Sequence, residues 1–164
     1  MRKTIITIAA TAGLIFAGVF AFGTAAAYSV QPAPPVTAAA VVKIIRPGGL
    51  GSGFSIGNHI VVTAAHVIKG AKTVTLKTSD GRTVAAEVLW SSEQNDTAFL
   101  RTEADIPAAV LDCKTAAVGD PIRIIGNPNG VEFITSTGTI AGTPREMGVV
   151  KQALVTDITT VPGQ

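Results

Sequence analysis

Gly51-Ser52-Gly53-Phe54-Ser55-Ile56-Gly57-Asn58-His59-Ile60-Val61-Val62-Thr63-Ala64-Ala65-His66 is the stretch that decides how this chain folds. Two short runs, Gly51–Ile56 and His59–Thr63, flank Gly57-Asn58, a dipeptide whose residues tolerate the left-handed backbone of a tight hairpin. The second run is a β-branched strand that ends in Thr63-Ala64-Ala65-His66. A strand that feeds a histidine into a tight turn fixes the backbone while leaving the ring at the surface. The same histidine also reads as a structural residue at a helix start, and the residues alone leave both readings open.

The same grammar extends in both directions. Runs rich in β-branched residues at Val41–Arg46, Thr73–Thr78, Thr83–Ser91 and Thr97–Arg101 are separated by turn residues such as Asp80-Gly81 and Glu93-Gln94-Asn95. Val74 and Leu76 alternate with Thr73, Thr75 and Lys77, the period of a half-buried strand. No long segment carries a helical period. Six short strands predict a small closed β-barrel. An irregular connector from Glu103 to Asp120 follows, then strands at Ile122–Gly126, Glu132–Ala141 and Val149–Thr156. Three strands close nothing, so Ile122, Ile124 and Ile140 are expected to face a sheet side without opposing strands, in a C-terminal third with an open edge.

Composition limits the functions available. The chain has 164 residues, 47% hydrophobic and 15% charged, which suits a packed core. Its net charge of +2 comes from Arg2 and Lys3, and the remaining basic and acidic residues balance. No nucleic-acid partner is therefore expected. Cys113 is the single cysteine, and His59 and His66 are the only histidines, so neither a disulfide framework nor a metal centre is expected. Cys113, in the connector, reads as a small apolar packing residue, His59 as an exposed turn residue, and Trp90 as barrel packing.

Residues 1–27 read as a secretory leader: Arg2 and Lys3, an apolar run from Ile5 to Phe22, then Thr24-Ala25-Ala26-Ala27. The apolar run is also near the length of a membrane span. Gly13, Gly18 and the small-residue exit favour cleavage, which would leave the chain secreted or periplasmic, with membrane anchoring as the outcome if it is uncleaved. Residues 28–40, with Pro32, Pro34 and Pro35, read as an extended linker. The remaining chain divides into a first barrel at 41–116 and an incomplete second barrel at 117–164.

Five motifs, in order, carry a resemblance: Gly51-Ser52-Gly53-Phe54-Ser55-Ile56; Val62-Thr63-Ala64-Ala65-His66-Val67-Ile68; Asn95-Asp96-Thr97-Ala98-Phe99-Leu100; Val118-Gly119-Asp120-Pro121-Ile122 with Gly126-Asn127-Pro128-Asn129-Gly130; and Thr156-Asp157-Ile158-Thr159-Thr160-Val161-Pro162-Gly163-Gln164. Together they resemble the trypsin-like serine proteases, most closely the bacterial high-temperature-requirement (HtrA/Deg) branch. The resemblance implies an all-β double barrel, the first six-stranded barrel complete and the second about half present. It implies a serine endopeptidase with a polypeptide substrate and no cofactor. His66 would be the general base and Asp96 its orienting carboxylate, and the Gly163 N–H would be one oxyanion donor. The family continues Gly-x-Ser-Gly-Gly, which places the nucleophile one residue past Gln164. The 164-residue chain is accordingly expected to be inactive by itself, and any homo-oligomer to belong to a completed protein.

Thr159 stands six residues before that serine, where trypsin carries the aspartate that selects basic side chains. Its presence implies a small or medium apolar preference instead. Gly53-Phe54-Ser55-Ile56-Gly57 also spells the nucleophile-elbow pattern of α/β-hydrolases, but that motif requires a strand, a sharp turn and a helix, followed by Asp and then His. Here His66 precedes Asp96 and the flanks read as strands, so Ser55 is a strand serine. The competing functional reading is a catalytically inactive homologue that binds peptides along an open strand edge.

The leader reading makes the first prediction. N-terminal sequencing of exported material should begin at Tyr28 or a near neighbour, and an intact Met1 in the membrane fraction would establish the anchor instead.

Overall fold

A computed structural model describes residues 38–148 and 150–160, with side chains at 150–152 excepted. The leader, most of the proline-containing segment and Gly163 lie outside the described residues. After a 3-10 turn at Ala38–Ala40, the elements are β1 (Val41–Arg46), β2 (Gly49–Gly57), β3 (Ile60–Thr63), α1 (Ala65–Ile68), β4 (Thr73–Thr78), β5 (Thr83–Ser92) and β6 (Thr97–Arg101). Then come β7 (Pro121–Gly126), a 3-10 turn at Pro128–Gly130, β8 (Ile134–Met147) and β9 (Val150–Thr156). The first six strands close a barrel in the order β1-β2-β3-β6-β5-β4, and the last three form a sheet in the order β7-β8-β9. The fold is the all-β one expected, a complete first barrel beside a partial second sheet.

Alternation builds the core. On β1, Val42 and Ile44 point inward, as do Val61 and Thr63 on β3, Val74, Leu76 and Thr78 on β4, and Ala98 and Leu100 on β6. Small residues make room at the crowded positions. A Cβ on Gly53 would lie 2.8 Å from the Val62 carbonyl oxygen and 3.0 Å from Ile44 Cδ1. A Cβ on Gly51 would lie 2.5 Å from Val67 Cγ1, so the glycine admits the side chain that seats α1 on the barrel. Ile106, from the connector, packs into the same core.

Several expectations need correction. Cys113 is exposed, as are Val110 and Leu111 beside it. The connector reaches the core through Ile106, whose carbonyl accepts from Ser55 Oγ at 3.1 Å, and its outer stretch lies on the surface. Trp90 is 48% exposed and packs against Phe99, with ring centroids 5.7 Å apart, on the outside of the barrel. Ile140 is covered, at 2% exposure, and its backbone exchanges hydrogen bonds with Gly119 and Asp120 just before β7. Strand β8 continues to Met147, beyond the expected end at Ala141. The β8–β9 register slips between Gly142 and Arg145, and Pro144 falls within that slip, where its missing N–H costs no ladder bond. His59 is exposed at the β2–β3 turn, as its sequence context implies.

The Gly51–Val67 contact predicts a specific destabilisation. Gly51→Ala should cost about 1–3 kcal/mol, the usual range for overpacking against a stiff β-branched side chain. Adding Val67→Ala should return part of that loss. Urea unfolding of the single and double variants measures both, and strictly additive losses would contradict the contact.

Candidate active site

Two adjacent strands present the chemistry. β3 pairs antiparallel with β6, with Thr63 opposite Ala98, so the chain leaving β3 and the chain entering β6 emerge at the same end of the barrel. Beyond Thr63 the chain makes a single helical turn. Ala65, Val67 and Ile68 are buried, and His66 points outward with its side chain 69% exposed. The far end of the turn is held by Arg46, whose Nε donates to the Val67 carbonyl at 2.6 Å. Thr63 Oγ1 donates to the Ser52 carbonyl at 2.8 Å, tying the strand end to β2.

Asp96 comes from the turn before β6 and adopts a left-handed backbone with φ +47°, a conformation Asp tolerates better than most residues. Its carboxylate does two things. Oδ1 accepts the His66 backbone N–H at 2.9 Å and Oδ2 accepts from the His66 ring Nδ1 at 2.8 Å. Ala64 stands at the N-cap of the turn and has no side-chain acceptor to offer, so this carboxylate, thirty residues downstream of His66, fills that need. An ionised carboxylate only accepts, so Nδ1 carries a proton, and in the neutral ring Nε2 is then the nitrogen with the free lone pair. Partial burial pushes the Asp96 carboxyl upward. Hydrogen bonds from the His66 N–H, the His66 ring and the Ala65 N–H outweigh it, and the group is held below the ordinary aspartate range.

The geometry brings His66 and Asp96 together. Thr159 lies elsewhere, exposed in the extended segment after β9 on the second sheet. That segment is pinned by Asp157, whose Oδ1 accepts the Thr139 N–H at 2.7 Å and whose Oδ2 accepts the Thr139 hydroxyl at 2.9 Å. These bonds hold the Asp157 carboxyl below its ordinary range. Nothing in the motif that contains Asp157 marks this contact, because an acceptor for one N–H and one O–H on a neighbouring strand leaves no spacing signature. Ser55 is buried within β2 and occupied with the Ile106 carbonyl, in keeping with a strand serine. A cleft of about 490 Å³ opens beside Asp96, between β2–β3 and β7, with Ala64, Phe54, Val62, Ile124 and Ile125 also among its walls. Among the described residues no three His, Cys, Asp or Glu side chains gather as a metal-binding group.

Because its native-state value is depressed, Asp96 contributes stability that is fully present above the ordinary aspartate range and is lost as pH falls through the native value. Asp96→Asn keeps a residue that tolerates the left-handed turn. The variant should therefore melt below the wild type at about pH 7, and the gap should narrow as pH falls below the ordinary aspartate range toward the depressed native value. A gap independent of pH would remove the carboxylate from this account.

The sequence model of the trypsin-like peptidase domain matches residues 51–164. Among relatives, a probable periplasmic serine endoprotease, DegP-like, from Halomonas elongata is 33% identical over 119 residues, covering 70% of this chain and 25% of that protein. A putative serine protease, HhoA, from Synechocystis is 37% identical over 101 residues, covering 58% of this chain and 26% of that one. The chain thus spans about a quarter of the length of these curated relatives. Among solved structures, the HtrA-type protease AlgW with tripeptide superposes with a TM-score of 0.64 at 29% identity, covering 68% of this chain and 39% of that one. With a family match over most of its length and the same fold, this chain belongs to the trypsin-like peptidase domain family, in its HtrA branch.

Proposed function

We propose that this chain belongs to an exported serine endopeptidase in which His66 is the general base and acid, Asp96 is its orienting carboxylate, and a serine directly after Gln164 is the nucleophile. The observation that carries the reading is the double engagement of one carboxylate, with the His66 ring on one oxygen and the His66 backbone N–H on the other. Such a carboxylate fixes ring orientation and tautomer together, which a base that must accept a proton at Nε2 requires. Imidazole suits the task because its ordinary pKa lies near neutrality.

In this reading the serine hydroxyl gives its proton to His66 Nε2 as the oxygen attacks the scissile carbonyl. The protonated ring then gives that proton to the leaving amine, and Asp96 stabilises the imidazolium in between. The Gly163 N–H is assigned as one of the two donors to the developing oxyanion. Thr159, with a hydroxyl in place of a carboxylate, is assigned to a substrate pocket that favours small or medium apolar side chains over Lys and Arg. Export is supported by the basic start and small-residue exit of residues 1–27, and by relatives whose names place them in the periplasm.

The test is kinetic and uses the full-length gene product. A fluorophosphonate probe should label the full-length protein at that serine and leave the 164-residue chain unlabelled. Asp96→Asn in the full-length protein should fold normally and lose about 10⁴ in kcat, the loss a wrong tautomer causes in a chymotrypsin-type triad. Glu93→Gln, three residues away, should change kcat little. Undiminished cleavage with Asn at position 96, or stoichiometric labelling of the 164-residue chain, would overturn the assignment.

A further inference from the structure

The protease reading draws its reacting groups from both sheets. His66 and Asp96 stand on the barrel, whereas β9 leads toward the nucleophile on the other sheet. Whatever fixes one sheet against the other therefore sets the distance between base and nucleophile.

The loop at 127–133, between β7 and β8, meets the barrel at two points. Asn127 is fully buried. Its backbone N–H donates to Ser52 Oγ at 2.9 Å, and its side-chain Nδ2 donates to Ser52 Oγ at 3.0 Å and to the Val42 carbonyl at 3.4 Å. Its Oδ1 accepts the Phe133 N–H at 3.1 Å. Phe133 has a φ of +53°, a left-handed backbone that a bulky residue holds only when its surroundings over-determine it. The second point is ionic. Lys43 Nζ, on a side chain only 11% exposed, donates to the Gly130 carbonyl at 2.9 Å and meets Glu132 at 3.1 Å, and Lys77 meets the same carboxylate at 2.8 Å.

Ser52 passes the attachment on toward the histidine. Its carbonyl accepts the Thr63 hydroxyl at the end of β3, and its neighbour Gly51 lies against Val67, the residue after His66. We infer that Asn127, acting through Ser52, is a positioning residue that sets the β7–β8 sheet against the His66–Asp96 pair; the inference rests on the protease reading. A carboxamide fits because the place needs donors toward Ser52 Oγ and Val42 O and an acceptor for the Phe133 N–H. A carboxylate lacks the donors, and alanine lacks both and leaves buried partners unpaired.

The experiment compares Asn127→Ala, Ser52→Ala and the double variant in the full-length protein, with kcat normalised to sites titrated by a fluorophosphonate. Each single variant should lower kcat per titrated site by up to about 10²-fold, the effect of displacing reacting groups by about 1 Å. KM should change less, and the double variant should be no slower than the slower single, because both substitutions break one connection. The His66 Nδ1 proton resonance should persist in all three, since its bond to Asp96 lies within the barrel. Ser52→Ala changes one half-buried hydroxyl and serves if Asn127→Ala does not fold. Unchanged kcat per titrated site in the variants overturns the inference and leaves the protease reading standing, as does a failure of both single variants to fold, which makes these groups structural only. A wild-type full-length protein that takes up no probe overturns both.

Discussion

The antiparallel pairing of β3 with β6 is the constraint on which the rest depends. Two strands from separate parts of the chain lie side by side because Val61 and Thr63 on one, and Ala98 and Leu100 on the other, share the barrel interior. A one-residue slip in that register would turn each inward side chain outward, so burial holds the register firmly. Once it is set, the exit of β3 and the entrance of β6 sit at one end of the barrel. The 2.8 Å bond from His66 to Asp96 is then a consequence of core packing, although neither residue belongs to the core.

The single helical turn that carries His66 is too short to be stable alone, since nucleating a helix costs more than one turn returns. Four attachments replace length. Val67 and Ile68 are buried, Gly51 leaves space for Val67, Arg46 binds the carbonyl at the far end, and Asp96 binds the N–H at the near end. The outcome is an exposed imidazole on a rigid base. Asp96 therefore combines a local structural duty with an electrostatic one, and the same hydrogen bonds that depress its carboxyl secure the turn.

The second sheet uses different means. Its three strands bury fewer large side chains than the barrel, and Ile140 is its fully covered apolar residue among those described. Polar attachments do much of the joining: Asn127 to Ser52 and Val42, Glu132 to Lys43 and Lys77, and Asp157 to Thr139 within the sheet. Hydrogen bonds and ion pairs are directional, so such a join fixes geometry more sharply than it adds stability. A cleft lined by residues of both sheets gains from that directionality.

Much of this is legible in the amino-acid sequence by itself. Val74 and Leu76 alternating with Thr73, Thr75 and Lys77 announced a half-buried strand, and β1, β4 and β6 begin and end where their β-branched runs do, because period-two burial is written locally in residue type. The motifs around His66 and Asp96 suggested a pair, yet only the β3–β6 register brings them within bonding distance. Gly142 and Pro144 lie beyond the strand end expected at Ala141 yet fall at a register slip inside β8, since a strand can absorb an irregularity when its partner tolerates it. Cys113 looked like packing and lies on the surface, because residue type does not report which side of a connector meets the core. The parts that escaped the sequence are the long-range polar ones, Asn127 with Ser52 and Glu132 with two lysines. Apolar periodicity marks a face by itself, whereas a hydrogen bond between residues 75 positions apart exists only once the backbone has brought donor and acceptor together.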